Sequence, residues 1–139
     1  MPNIKSIISR LCLELLRETI LEAGGNEVFF LAKPDAERQI VEITPLARGN
    51  DSAVPALIQV ATQGDVIIHN HPSGHLTPSA ADLSIASEYG NQGVGFYIVN
   101  NPVDEIYVVV EAFQRQKLQP LQLSEMVELV SEKGAVARK

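Results

Sequence analysis

Apolar residues along the chain recur with two periods, one typical of helices and one typical of strands. The first helical pattern begins at Ile4 and is ended by Gly24 and Gly25. Helical and strand-like runs then alternate, which predicts an α/β fold: a mixed sheet of about five strands packed by helices, in the order α-β-β-α-β-α-β-β-α. The predicted elements are a helix at 4–23, strands at 26–32 and 38–46, a helix at 54–62, a strand at 65–68, a helix at 79–90, strands at 94–99 and 106–111, and a helix at 124–134.

The pattern also predicts positions within these elements. The first helix is predicted to be uninterrupted, with about five turns. Its buried stripe would consist of Ile4, Ile7, Ile8, Leu11 and Leu15. The first two strands are predicted to form a hairpin across Pro34 and Asp35, and Pro45 indicates either that the second strand lies at an edge or that it ends there. The dense apolar runs at 94–99 and 106–111 indicate central strands.

Length and composition are those of one compact domain. The chain has 139 residues, of which 45% are hydrophobic and 20% charged. We expect a single domain over 1–134, and a polar tail at 135–139 that would suit the start of a linker in a longer protein. The apolar run after Lys5 and Arg10 is too short for a signal peptide. No stretch approaches the ~20 apolar residues of a membrane span.

The net charge and the cysteine content limit which binding partners and which cellular compartment we expect. Seventeen acidic and eleven basic residues give a formal net charge of −6. Such a surface is poorly matched to a phosphate backbone, so we expect no nucleic-acid binding by this domain alone. The single cysteine, Cys12, lies in a helical apolar pattern, which predicts a buried, inert thiol. Without an internal disulfide, the chain suits a reducing compartment, and we expect the cytoplasm.

The candidate chemistry lies in the run from His69 to Asp82. The apolar run 66–68 leads straight into His69. Because alternate side chains of a strand project to the same side, His69 and His71 are placed to converge on one cation. Asp82 follows in the same segment and is a third ligand type that Zn²⁺ accepts; three protein ligands with water in the fourth position are typical of a catalytic zinc site. The sequence therefore predicts Zn²⁺ held by His69, His71 and Asp82.

Ser79 and Asp82 also suit a structural role. Ser-x-x-Asp before an apolar periodic run is typical of a helix N-terminal cap, and for Ser79 this interpretation stands beside a functional one. The helical stripe that faces the sheet consists of Asp82, Ile85, Ala86 and Tyr89. An ionised carboxylate facing inward is costly unless it is paired or binds a metal, which favours the metal for Asp82.

One stretch of the chain resembles the motif of the JAMM/MPN metalloenzymes. It consists of His69-x-His71, seven further residues, and then Ser79-x-x-Asp82. The run His-Asn-His-Pro-Ser-Gly is especially similar to their bacterial RadC-type branch. The resemblance implies a deaminase-like α/β sandwich and a zinc-dependent hydrolase of peptide or isopeptide bonds. It also implies a glutamate on an early strand as general base and Ser79 as donor to the developing oxyanion. The implied substrate is a peptide or a protein, ubiquitin-like and sulfur-carrier proteins among them.

Glu27 is the glutamate that best suits the implied base. Alternation within the strand at 26–32 puts it on the face of Phe29 and Leu31, either at the exposed start of the strand or in an enclosed site. The competing carboxylates are Glu22 in the first helix, Glu37 in the turn and Glu42 on the next strand. We therefore take Glu27 as the catalytic base.

Other assignments remain to be compared with this one. His75 would compete for the metal, or complete a structural site of four ligands, but its Gly-containing turn favours a solvated side chain. A base deaminase needs a Cys-x-x-Cys pair, which one cysteine does not supply. The rival function is a RadC-like domain that serves as a binding or scaffold module in DNA repair or replication, fused to a helicase in a longer protein.

Overall fold

Five strands form one mixed sheet in the computed structural model of this protein, which describes residues 3–48 and 59–114. The strands are β1 (Val28–Pro34), β2 (Ile40–Arg48), β3 (Val66–Asn70), β4 (Gly95–Val99) and β5 (Ile106–Val110). Across the sheet they lie in the order β2-β1-β3-β4-β5. β3 and β4 are parallel, and the other neighbouring pairs are antiparallel. The predicted α/β fold with a mixed sheet is confirmed.

The described residues include three helices, α1 (Ile4–Ile7), α2 (Arg10–Glu22) and α3 (Ala80–Gly90). α3 lies in the connection between β3 and β4, as parallel strands require a crossover. The helix predicted at 54–62 lies largely outside the described residues, and residues 59 and 60 form a turn. The last predicted helix and the polar tail also lie outside them. Within 3–48 and 59–114, no helix is long and apolar enough to cross a membrane.

The first predicted helix is interrupted, so the prediction of one continuous helix is wrong. α1 ends because Ile8 adopts an extended backbone (φ −126°, ψ 131°) and forms an isolated parallel bridge with Ile40. The Ser9 N–H donates to the Ile40 carbonyl oxygen at 2.9 Å. Ser9 then caps α2, and its Oγ accepts the Cys12 N–H at 3.3 Å. A contact with a residue distant in sequence thus overrides the local helical spacing.

The interruption changes which face of the helix is buried. The buried residues of α2 are Cys12, Leu13, Leu16 and Ile20. Leu11 is 76% exposed and Leu15 is 41% exposed, so the prediction that both belong to the buried stripe is wrong. The predicted burial of the Cys12 thiol is confirmed.

β1 and β2 form the predicted hairpin, but both strands begin and end later in the chain than predicted. In the turn, Asp35 Oδ1 accepts the N–H groups of Glu37 and Gln39. At the other end of β1, the Asn26 side chain donates to the Ala23 carbonyl at the end of α2. Asn26 is therefore part of the helix–strand connection, and Glu27 lies just before β1 rather than within it.

The edges of the described sheet are β2 and β5. The edge position of β2 is confirmed, as is the interior position of β4, but the prediction that the strand at 106–111 is central is wrong. β3 is the central strand, and all five of its residues are buried. In β5, Tyr107 is exposed and 108–110 are half-buried. An apolar run indicates that side chains are buried, but it does not indicate whether the strand has a hydrogen-bonded neighbour on both sides.

Apolar side chains pack on both faces of the sheet. One cluster includes Leu16 of α2 and Ile68 of β3, and the other includes Ile67 of β3 and Ala86 of α3. Successive residues of β3 therefore face opposite sides. His69 follows Ile67 by two positions, so its side chain projects towards the side covered by α3.

We expect Leu16→Ala to lower the free energy of unfolding by about 2–5 kcal/mol, because Leu16 is fully buried. Leu11→Ala in the same helix should change it by no more than about 0.5 kcal/mol, since this side chain is mostly exposed. Chemical denaturation of both variants beside the parent measures the difference. The reverse order of effects would contradict the helix interruption at Ser9.

Candidate metal centre

The end of the central strand β3 carries the two histidines. His69 lies within β3, and His71 directly follows the strand. The His71 N–H donates to the Val99 carbonyl oxygen at 2.9 Å, which extends the pairing with β4 beyond the strand end. The backbone therefore stays extended through both histidines, and their rings project to the same side, with centroids 5.0 Å apart. This is the carboxyl end of a parallel strand, where ligands of α/β sheets bind.

The His69 ring is fully buried between two phenyl rings. It stacks on Phe29 with centroids 4.9 Å apart and planes 2° apart, and on Phe96 at 4.7 Å and 24°. His69 Nε2 lies 2.9 Å from Asp82 Oδ1. Within residues 3–48 and 59–114, neither ring nitrogen has a partner in hydrogen-bond geometry. An unpaired buried nitrogen is costly. A metal ion bound at Nε2 would remove that cost for Nε2.

The His71 ring is oriented by the loop that follows it. Nδ1 lies 2.8 Å from the backbone carbonyl oxygen of His75, so Nδ1 carries the hydrogen and donates. In a neutral ring this tautomer leaves a lone pair on Nε2, which lies 2.9 Å from Asp82 Oδ2. A lone pair facing a carboxylate calls for a proton on Nε2 or a cation bound to both groups. The His75 side chain itself is exposed.

Asp82 joins α3 to both histidines. Its side chain is buried, with Oδ1 near His69 and Oδ2 near His71, and Oδ2 also accepts the Ser79 N–H at 2.9 Å. Burial acts to raise the pKa of this carboxyl, but the contact with His69 and the bonds from Ser79 outweigh it and hold the pKa well below its usual range. Asp82 is therefore an ionised carboxylate at neutral pH, as a metal ligand requires.

Ser79 is the N-cap of α3, so the capping interpretation is confirmed. Its Oγ accepts the Asp82 N–H at 3.1 Å, and the Asp82 carboxylate accepts the Ser79 N–H, which completes a capping box. This arrangement uses a lone pair of the hydroxyl oxygen and leaves the hydroxyl hydrogen available for donation. The side chain is exposed beside the site. Donation to an oxyanion stays a prediction.

Glu27 faces the histidines from the start of β1. Its Oε2 lies 4.0 Å from His69 Nε2, and its side chain is 32% exposed, so it occupies a partly enclosed site rather than an open strand end. Desolvation by burial raises the pKa of Glu27; His69 acts in the opposite direction, and the Asp82 charge adds to the rise. A carboxylate with a raised pKa is a stronger proton acceptor near neutral pH.

These side chains fit a divalent metal ion. Glu27, His69 and His71 each present one ligand atom, and the three atoms lie within 4.8 Å of one another. Asp82 contacts both histidines at 2.9 Å. The geometry thus offers two sets of three ligands, the histidines with Asp82 or the histidines with Glu27. Nitrogen and carboxylate donors in either set suit zinc.

The sequence did not reveal the groups that support the site. Two phenyl rings stack on His69, and the His75 carbonyl orients His71. The residue types at these positions do not indicate that they contact a histidine of the site. Asn70, between the two histidines, is fully buried and bonds to the backbone on both sides of Glu27. The sequence shows that Asn70 lies within the motif, but its hydrogen-bond partners depend on the pairing of β1 with β3.

Comparison with known proteins agrees with this geometry. The family model described as the RadC-like JAB domain matches residues 7–98, a range that contains Glu27, both histidines, Ser79 and Asp82. A "UPF0758 protein" of Vibrio cholerae serotype O1 (strain ATCC 39315 / El Tor Inaba N16961) is 35% identical over 68 residues, which cover 43% of each protein. The chain thus spans less than half the length of this curated relative.

The family match covers more than half of the 139 residues and includes the whole candidate site. The folded domain has the mixed sheet and the packing helices that the motif implied. This chain belongs to the family of RadC-like JAB domains.

Proposed function

We propose that this chain hydrolyses peptide or isopeptide bonds with a zinc ion held at the end of β3. The observation that carries the proposal is the buried His69 ring, whose Nε2 faces two carboxylates and has no partner in hydrogen-bond geometry within the described residues. A site built only for stability would satisfy this nitrogen. The availability of Nε2 for a metal, beside a glutamate with a raised pKa, supports hydrolysis.

His69, His71 and Asp82 would hold the metal. Asp82 is the more suitable third ligand because it is buried, ionised and in contact with both imidazoles, whereas Glu27 stands 4.0 Å from the nearer one. Bound Zn²⁺ lowers the pKa of water towards ~7 and polarises a carbonyl oxygen. Glu27 is then left free for proton transfer.

Glu27 acts as the general base and then as the general acid. Its carboxylate accepts a proton from the water that attacks the carbonyl carbon, as a new C–O bond forms. It then delivers that proton to the amine nitrogen as the C–N bond breaks, so that a carboxylic acid and an amine leave and Glu27 is restored; the acid then loses its proton to solvent. Its partial burial supports both steps, because desolvation brings its pKa closer to neutral pH.

Ser79 supplies a hydrogen bond to the oxyanion that develops during the attack. Its hydroxyl oxygen accepts the Asp82 N–H, which restrains the oxygen and leaves the hydroxyl hydrogen available to donate elsewhere. A donor positioned before the reaction lowers the barrier more than one that must reorganise. The capping bond therefore also preorganises the donor.

The proposed substrate class rests on the resemblance to the JAMM/MPN metalloenzymes. We propose a peptide or a protein as partner, with ubiquitin-like and sulfur-carrier proteins as candidates for the acyl donor. The single cysteine is a buried free thiol, which supports action in a reducing compartment such as the cytoplasm.

The purified domain is expected to bind about one Zn²⁺ per chain. His69→Ala and Asp82→Asn should each weaken zinc binding by more than about 100-fold, the upper range for loss of a group that only supports a ligand. His75→Ala is the matched control, because it removes the imidazole but keeps the carbonyl that orients His71. Metal analysis and competition with a chelator measure occupancy and affinity. If Asp82→Asn keeps zinc and Glu27→Gln loses it, the third ligand is Glu27.

Glu27→Gln is expected to retain zinc and to lose hydrolysis, because the amide cannot accept the proton from water. Glu22→Gln, at the exposed end of α2, is the control and should match the parent in both properties. Turnover is followed with peptide and isopeptide substrates at saturating zinc. A fully active Glu27→Gln variant would rule out the proposed base. No turnover by the zinc-loaded parent would favour a binding module instead.

Ser79→Ala is expected to lower stability by about 0.5–2 kcal/mol through loss of the cap, and kcat by roughly 10²- to 10³-fold through loss of the oxyanion donor. Ser9→Ala is the matched control, because Ser9 caps α2 in the same way. It should lower the melting temperature comparably and leave the kcat of the folded protein unchanged. An equal kcat for the two variants would leave Ser79 as a cap alone.

A further inference from the structure

Asn70 occupies the position where the pairing of β1 with β3 ends. The last residues paired between these strands are Phe29 and His69. At the next position, the Val28 N–H donates to the Asn70 side-chain oxygen Oδ1 at 2.8 Å, in a fully buried bond. A side chain thus replaces the backbone acceptor that a longer strand pair would supply.

The same amide group also bonds on the other side of Glu27. Asn70 Nδ2 donates to the Asn26 carbonyl oxygen at 3.2 Å. The Asn26 carbonyl belongs to the peptide group before Glu27, and the Val28 N–H belongs to the peptide group after it. One side chain therefore restrains both peptide groups that flank Glu27.

A second asparagine extends this network to the turn between β4 and β5. Asn70 Nδ2 donates to Asn101 Oδ1 at 2.6 Å, and Asn101 Nδ2 donates to the Gly25 carbonyl oxygen at 3.0 Å. Gly25 has φ +80°, and a Cβ added there would lie 3.1 Å from Asn101 Nδ2. The segment before β1 therefore packs closely against both asparagines.

We propose that Asn70 is a positioning residue that holds Glu27 at a set distance from the histidines. This inference rests on the proposed function, in which Glu27 is the base. Asn70 lies in sequence between His69 and His71, so its bonds connect the backbone of the histidines directly to the backbone of Glu27. A base must lie within hydrogen-bond reach of the proton that it accepts, and a misplacement of about 1 Å costs up to 10²-fold in rate.

The residue type agrees with this role. The buried amide accepts one bond and donates two, which uses most of its capacity. Aspartate would keep the acceptor but lose both donors, and leucine would lose all three bonds. Neither replacement would restrain both peptide groups beside Glu27.

The test compares Asn70→Ala and Asn101→Ala with Asn100→Ala. Asn101 is partly exposed, so its variant tests the network if Asn70→Ala does not fold. Asn100 is the matched control, because it is buried in the same turn but bonds to Asp104 and Glu105. The measurements are zinc content, kcat and KM, and hydrogen exchange of the Val28 amide.

Asn70→Ala is expected to keep one zinc and a KM within about twofold of the parent, and to lose about 10- to 100-fold in kcat. The Val28 amide should exchange roughly 10-fold faster or more. Asn101→Ala should show the same pattern with a smaller loss, and Asn100→Ala should lower only the melting temperature. In the Glu27→Gln background, Asn70→Ala should not lower the residual hydrolysis rate further, because the group that it positions is already lost.

Three results would overturn the inference, in each case with an active parent. The first is an unchanged kcat in folded Asn70→Ala or, if that variant is unfolded, in Asn101→Ala. The second is loss of zinc from the variant, which would show that Asn70 acts on the ligands. The third is a loss of kcat in Asn100→Ala as large as in Asn101→Ala. An inactive, zinc-loaded parent would instead refute the proposed hydrolysis. In that case hydrogen exchange alone tests the inference: an unchanged exchange rate of the Val28 amide in Asn70→Ala would show that Asn70 does not restrain the backbone beside Glu27.

Discussion

The contact between the buried Asp82 carboxylate and the two imidazoles is the interaction on which this structure depends. A buried charge is tolerated only when it is paired or bound to a cation. Here His69, His71 and the Ser79 N–H surround the carboxylate, so the start of α3 is fixed against the end of β3. The start of α3, in the crossover from β3 to β4, is thereby fixed, and the parallel pair carries the candidate metal site.

Much of the site could be predicted because its signals are local. Alternation along β3 put both imidazoles on one side, and helical spacing put Asp82 on the face that α3 turns towards the sheet. Glu27 was harder to place, because it lies just outside its strand and several glutamates precede the histidines. Its position next to His69 depends on the pairing of β1 with β3, which no single residue encodes.

The errors have the same physical origin. The first helix is broken because Ile8 pairs with Ile40, and this contact forms only when β2 is in place. β5 was predicted to be central because its side chains are apolar, yet the position of a strand depends on which neighbours pair with its backbone. Sequence patterns report the environment of side chains well, whereas backbone partners are set by the whole fold.

The capping box at the start of α3 has a consequence for how this domain can vary. Asp82 Oδ2 accepts the Ser79 N–H at the start of α3 and also lies against His71, while Oδ1 of the same carboxylate lies against His69. A replacement that keeps the helix terminus but shifts the carboxylate would disturb the imidazoles, and a replacement that suits the imidazoles must still satisfy the Ser79 N–H. The requirement for a stable helix start and the requirement for a carboxylate beside the imidazoles therefore act on the same side chain, so neither can change without affecting the other. A domain of this family without catalytic activity would still be under pressure to retain this aspartate, so its presence alone is a poor guide to activity.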